Sequence, residues 1–188
     1  IFLPFSFSNG FTFTGISGMS YHGGLIGILL DVSWYVRKAK INYWEVMDLY
    51  VPVVPLGYTF GRLGNFINGE LFGRATTSPI GMYFPQASEK ALRHPSQLYE
   101  AVFEGVFLFV ILWCIRKRSF PQGAMLALYI IGYGTVRFFI EYFREPDAHL
   151  GFVLSSFSMG QILCALMIAG GIGLYLYLRQ TEQRVKSP

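Results

Sequence analysis

Charged side chains are scarce in this sequence. They make up 14% of 188 residues, against roughly 25% in soluble domains. Cysteine is rarer still. Cys114 and Cys164 stand singly inside apolar runs, at no metal-type spacing, and read as small lipid- or core-facing hydrophobes. No cluster of metal-ligand residues appears, so neither a metal nor a cofactor is expected. Internal repeats and low-complexity linkers are absent too, and residues 1–188 read as a single transmembrane domain. The opening stretch, residues 1–14, has no positive n-region and no small-residue cleavage site, so it is not a signal peptide. A chain that starts at Ile1 with no methionine is expected to be the greater part of a longer protein.

Apolar residues are what the sequence does have: 53% hydrophobic, 18% aromatic, with a mean hydropathy of +0.42. A helix needs about 20 mostly apolar residues to cross a bilayer. Five stretches meet or approach that length: 16–36, 44–63, 97–115, 123–142 and 158–178. Helices are expected throughout, since an open sheet cannot span lipid with unpaired backbone groups. The fold class is therefore an all-α polytopic membrane bundle.

Net charge is +4, which raises nucleic acid as a partner. The basic residues are short juxtamembrane clusters rather than one stripe, so nucleic acid is excluded. Nine of them fall on one side of the five spans: Arg37, Lys38, Lys40, Arg116, Lys117, Arg118, Arg179, Arg184 and Lys186. Four fall on the other: Arg74, Lys90, Arg93 and Arg144. Basic residues concentrate on the cytoplasmic side. The C-terminus is then cytoplasmic, and residues 1–15, 64–96 and 143–157 face outward, with 75–96 as a short outward loop. An outward start fits a parent with an even number of further spans upstream.

An ionisable group within a span costs about 2.5–3.5 kcal/mol on insertion scales and is a functional candidate by default. Here these groups gather toward the outward side. His22 sits in SYHGGLIG, where Gly23 and Gly24 allow a backbone or headgroup to approach. A helix–helix contact through small residues is the alternative. The segment GRLGNFINGELFGR, Gly61 to Arg74, is the most informative. Arg62, Asn65, Gly69 and Gly73 recur at helical spacing, and Glu70 lies on much the same face as Arg62. Asn68–Gly69 is a break signal. An arginine, two amides (Asn65 and Asn68) and freed backbone N–H groups suit an anionic headgroup, and a guanidinium fork fits phosphate better than lysine does. The alternative is a polar cap in which Arg62 pairs with Glu70. Arg137 and Glu141 form an i,i+4 pair, which is either a plain salt bridge or the second half of a phosphate site. In RHPSQLYE, Ser96 reads as an N-cap, and Glu100 and Glu104 read as a supporting shell able to pair with Arg62, Arg137 or His94. SMGQ, Ser158 to Gln161, reads as the capped start of the last span.

In this order, SYHGGLIG, GRLGNFINGELFGR, RHPSQLYE, VRFFIEYFREPD and SMGQIL resemble the prolipoprotein diacylglyceryl transferases, from about Gly18 to Leu178. The resemblance implies a seven-span enzyme of the bacterial inner membrane, with about two N-terminal spans absent here. It implies phosphatidylglycerol as donor and the lipobox cysteine thiol of a prolipoprotein as acceptor, at the outer face, with a thioether formed and glycerol phosphate released. Carried over by motif, the important residues are His22, Arg62, Asn65, Glu70, Gly73, Arg137 and Glu141. Arg62 and Arg137 are expected to face the phosphate oxygen, since fixed cations stabilise charge that grows as the bond breaks. Asn65 and Gly73 would orient the headgroup, and Glu70 and Glu141 would hold the arginines. His22 is the first choice of base for the thiol and Glu141 the second. Two other readings remain: another phospholipid headgroup transferase or phosphatase, and a transporter. The nearly uncharged inner halves of the spans weigh against the transporter.

Overall fold

The computed structural model describes residues 5–6, 12–13, 21–87, 90–145, 152–154 and 157–186. Helices dominate. Two antiparallel strand pairs are short: β1 (Phe5–Ser6) with β2 (Thr12–Phe13), and β3 (Phe152–Leu154) with β4 (Phe157–Ser158). The chain divides into two compact units, Ile1–Val46 and Met47–Pro188.

In the first unit, α1 spans Tyr21–Ala39. Lys40 stops it with a left-handed backbone (φ 55°), and the Ile41 N–H donates to the Val36 carbonyl at 3.2 Å. Asn42 then caps α2 (Tyr43–Tyr50), its Oδ1 accepting from the Trp44 N–H at 2.9 Å. The boundary between the units falls within α2.

The second unit carries the candidate site. A 3₁₀ turn, Val51–Val53, leads into α3 (Val54–Asn68), with Pro52 and Pro55 at positions that require no backbone N–H. Gly69 ends α3 at φ 70°. Its N–H donates to the Phe66 carbonyl and the Glu70 N–H to the Asn65 carbonyl, both at 3.0 Å. This is the Schellman arrangement, which satisfies carbonyls at a helix end. The Asn68–Gly69 break is therefore a helix terminus.

Ser96–Ile115 is one continuous 20-residue helix. Its parts are α4 (Ser96–Tyr99), a π-helical stretch (Glu100–Phe107) and α5 (Leu108–Ile115). The expected cap at Ser96 is not formed. Pro95 is the N-cap residue and makes no side-chain cap bond, whereas the Ser96 hydroxyl donates to the Leu71 carbonyl at 3.1 Å. α6 (Ala124–Ile140) and α7 (Met159–Lys186) pack on one another through small residues. Gly134 lies against Cys164 and Ile168, and Gly171 against Ile130, Ile131 and Ala127. Helices in lipid associate by such close approach, since apolar burial supplies no drive there.

Polarity is inverted relative to a soluble protein. Ile67 is 82% exposed and Leu166 64%, whereas Glu100, Glu104, Gln97 and Ser96 are buried. Polar groups inside and large apolar side chains outside fit a lipid solvent. Among the described residues two helices, Ser96–Ile115 and Met159–Arg184, are long and apolar enough to cross a membrane; α6 is shorter.

Asp48 on α2 reaches the start of α6, where its carboxylate accepts from the Gly123 N–H at 2.7 Å and the Met125 N–H at 3.0 Å. These donors have no partner inside their own helix. Asp48→Ala should cost about 2 kcal/mol, the range for a hydrogen bond to a charged group, and Asp48→Asn less. Thermal melting in detergent measures both.

Candidate functional site

Two helices and the start of a third bring the site together. On α3, Tyr58, Arg62 and Asn65 fall on one side at spacings of four and three, so the Arg62 guanidinium lies over the Tyr58 ring, 4.8 Å from its centre. The π-helical stretch opposite presents Glu100 and Glu104 one turn apart. These two elements approach closely because Gly105 has no side chain: a Cβ there would overlap Thr59. Toward its end, α6 supplies Arg137, and Glu141 follows directly.

Both arginines meet one carboxylate. Glu100 Oε2 forms ion pairs with both, 2.7 Å from Arg62 Nε and 3.2 Å from Arg137 Nη1. Arg137 Nη1 also reaches Glu104 Oε1 at 3.4 Å, and Nη2 reaches Glu141 Oε2 at 3.6 Å. The Tyr58 hydroxyl donates to Glu104 Oε2 at 2.5 Å and lies 3.1 Å from Glu100 Oε2. Glu100 and Glu104 are 1% and 0% exposed. Ions so buried persist only when paired and hydrogen-bonded, and these are. Each guanidinium carries five N–H donors. Among the described residues the contacts of Arg62 and Arg137 use fewer.

The pairing differs from the sequence expectation in one respect. Glu70 does not pair with Arg62. The α3 terminus turns the chain at Gly69, and Glu70 Oε1 instead accepts from Asn65 Nδ2 at 2.7 Å and Asn68 Nδ2 at 3.4 Å. Arg62 Nη1 donates to Asn65 Oδ1 at 3.4 Å, so Glu70 bears on Arg62 only through that amide. The arginine's direct anchor is Glu100, one of the supporting-shell partners the sequence suggested for it.

Gly73 has a packing role. A Cβ would strike the Phe143 carbonyl and crowd His94, and this closeness lets Gly73 N–H donate to the His94 carbonyl at 2.8 Å and Arg74 N–H to the Phe143 carbonyl at 3.0 Å. Gln97 ties the same loop down, its Nε2 donating to the Glu70 carbonyl at 2.6 Å. Arg93 joins in through Gly73 O and a 2.6 Å ion pair with Glu145. His94 Nδ1 lies 3.1 Å from the Tyr99 hydroxyl, away from the glutamates.

At the start of α7 the expected cap is formed. Gln161 N–H donates to Ser158 Oγ at 3.2 Å, and Ser158 N–H to Gln161 Oε1 at 3.0 Å. Ser158 Oγ also donates to Glu141 Oε1 at 3.2 Å, and a Cβ at Gly160 would collide with that carboxylate. His22 lies in the first turn of α1; its side chain is outside the described residues. Tyr58, and the tie from Ser158 to Glu141, are the contacts the sequence reading missed. Tyr58, four residues before Arg62, was the one detectable signal.

Chemically, the arrangement is two fixed cations held at one point by buried carboxylates and an amide. A family profile described as prolipoprotein diacylglyceryl transferase matches residues 5–177. Proteins named phosphatidylglycerol–prolipoprotein diacylglyceryl transferase are similar along most of the chain. One from Chlorobaculum tepidum is 62% identical over 182 residues, covering 96% of this chain and 63% of the relative. One from Treponema denticola is 44% identical over 232 residues, covering 99% and 69%. One from Pseudoalteromonas atlantica is 50% identical over 164 residues, covering 85% and 58%. The chain thus spans 58% to 69% of the length of these relatives. With nearly its whole length matched and its buried arginines gathered on one carboxylate, this chain belongs to the prolipoprotein diacylglyceryl transferase family.

Proposed function

We propose that the protein transfers the diacylglyceryl group of phosphatidylglycerol to the lipobox cysteine thiol of prolipoproteins, releasing glycerol phosphate. The observation that carries this reading is the convergence of Arg62 and Arg137 on one oxygen, Glu100 Oε2, at 2.7 and 3.2 Å. Groups that share one acceptor oxygen are close enough to share a phosphodiester.

In the reaction the thiolate sulfur attacks the glyceryl carbon bearing the phosphate. A C–S bond forms, the C–O bond breaks, and its electron pair leaves with the phosphate oxygen. Charge grows on that oxygen, and fixed guanidiniums beside it stabilise the transition state more than the ground state. Glu100, Glu104 and Glu141 hold the guanidiniums in place, so little reorganisation is needed when the charge appears. Asn65, with Asn68, Gly69 and Glu70, orients the headgroup at the α3 terminus, and Gly73 keeps that loop seated. The thiol proton must leave as well. A free thiol has a pKa of about 8.5, so a positioned base helps, and His22 is assigned that role with Glu141 as second choice. The base matters less than the clamp. Deprotonation near pH 7 costs about 2 kcal/mol, whereas losing one donor aimed at the developing charge costs about 2.7–4 kcal/mol.

We place this chemistry toward the outer face of the bacterial inner membrane. The chain forms five spans of one transmembrane domain, within a protein of seven, and its C-terminus is cytoplasmic. Support comes from the nine-to-four split of Lys and Arg between alternate connections.

Arg62→Ala and Arg137→Ala should each abolish thioether formation on a lipobox peptide, read by mass spectrometry with phosphatidylglycerol as donor. His22→Ala should retain residual turnover. Near-normal rates in both arginine variants would contradict the clamp. Phosphate release without a thiol acceptor would favour a phosphatase. For topology, with Cys114 and Cys164 replaced by Ala, an impermeant thiol reagent should label Lys90→Cys in intact spheroplasts and Arg118→Cys only after lysis. The opposite pattern would invert the proposed orientation.

A further inference from the structure

We infer that Tyr58 is a positioning residue for the arginine pair, acting through Glu104 and Glu100; the inference rests on the lipid-transfer reading above. Three carboxylates, Glu100, Glu104 and Glu141, surround two guanidiniums. A phosphodiester that enters must compete with those carboxylates for the same N–H groups. Whether it can depends on how firmly each carboxylate grips the arginines, and the Tyr58 hydroxyl is placed to govern that.

Its geometry is specific. The phenol has one proton to give. The shorter contact, 2.5 Å, is to Glu104 Oε2, and Glu100 Oε2 lies 3.1 Å away. Donation to Glu104 Oε2 turns the other oxygen, Oε1, toward Arg137 Nη1 at 3.4 Å. At Glu100 the hydroxyl crowds the very oxygen that both arginines contact, so it shares that oxygen's electron density with them. The ring meanwhile lies under the Arg62 guanidinium at 4.8 Å and meets the Tyr133 ring edge-on at 5.9 Å. One side chain thus braces Arg62 with its face and aims the acceptors of Arg137 with its hydroxyl. Packing alone requires only an aromatic ring here. A phenol whose hydroxyl is directed at two buried carboxylates has a further task.

The two contributions separate by substitution. Tyr58→Phe keeps the ring under Arg62 and removes only the hydroxyl, so the fold should persist. A hydrogen bond to a charged group is worth about one to two powers of ten in an equilibrium. Tyr58→Phe should therefore lower kcat/KM for phosphatidylglycerol at least about tenfold. KM for the lipobox peptide should stay unchanged, because the arginines face the phosphate and not the thiol. Glu104→Gln should lower activity on the same substrate. In that background Tyr58→Phe should add little, since the pair acts as a unit and contacting residues are non-additive.

The test measures both substrates' constants for the wild-type protein, Tyr58→Phe, Glu104→Gln and the double variant in phosphatidylglycerol-containing proteoliposomes, with thermal melting alongside. A lower kcat or a higher KM for the lipid, with KM for the peptide unchanged and strong coupling to Glu104, supports the inference. Unchanged kinetics in Tyr58→Phe would overturn it. So would a raised KM for the lipobox peptide, additive losses in the double variant, or losses that merely follow a drop in melting temperature. A wild-type protein that forms no thioether would instead count against the lipid-transfer reading itself.

Discussion

Oε2 of Glu100 is the point on which the site depends. It forms ion pairs with Arg62 and Arg137 and is 3.1 Å from the Tyr58 hydroxyl, on a residue that is 1% exposed. Taking such charges out of water is expensive, and only dense pairing makes it tolerable. The surrounding structure follows from that need. Glu104 and Glu141 share Arg137, Asn65 links Arg62 to Glu70, and Ser158 ties Glu141 to the start of α7. Charges held this way cannot relax easily, which is the condition for electrostatic catalysis.

The helices that carry these groups are built for lipid. Their outer surfaces are large apolar side chains, and their contacts with one another rest on small residues: Gly105 on Thr59, Gly134 on Cys164, Gly171 on Ile131. Close backbone approach brings Glu100 within reach of Arg62, because a wider α3 crossing would leave the pair apart. The same economy appears at Gly73 and Gly160, where a missing Cβ admits a carbonyl or a carboxylate.

Much of this was legible in the residues. Ionisable groups inside apolar stretches stood out at once, and Arg62, Arg137, Glu100, Glu104 and Glu141 all proved to be neighbours. The break at Asn68–Gly69 and the cap at Ser158–Gln161 were local signals, and local chemistry decided both. What was not legible is tertiary. Glu70 looked like the partner of Arg62 by helical spacing, but the helix ends between them. Glu100 was expected to support Arg62, Arg137 or His94, but nothing in its own segment says that α3 and α6 both converge on it. Tyr58 was hidden for a different reason: a tyrosine in an apolar helix looks like packing until the carboxylates opposite it are seen. Ser96 looked like a cap and proved to be a tie to Leu71, since the preceding proline took the cap position.

The most direct test is a structure of the protein with phosphatidylglycerol bound, in which the distances from the lipid phosphate to the two guanidiniums are measured. The account predicts phosphate oxygens within hydrogen-bond reach of both Arg62 and Arg137, with Glu100 still between them. A phosphate held by one arginine alone, or seated elsewhere in the bundle, would contradict it.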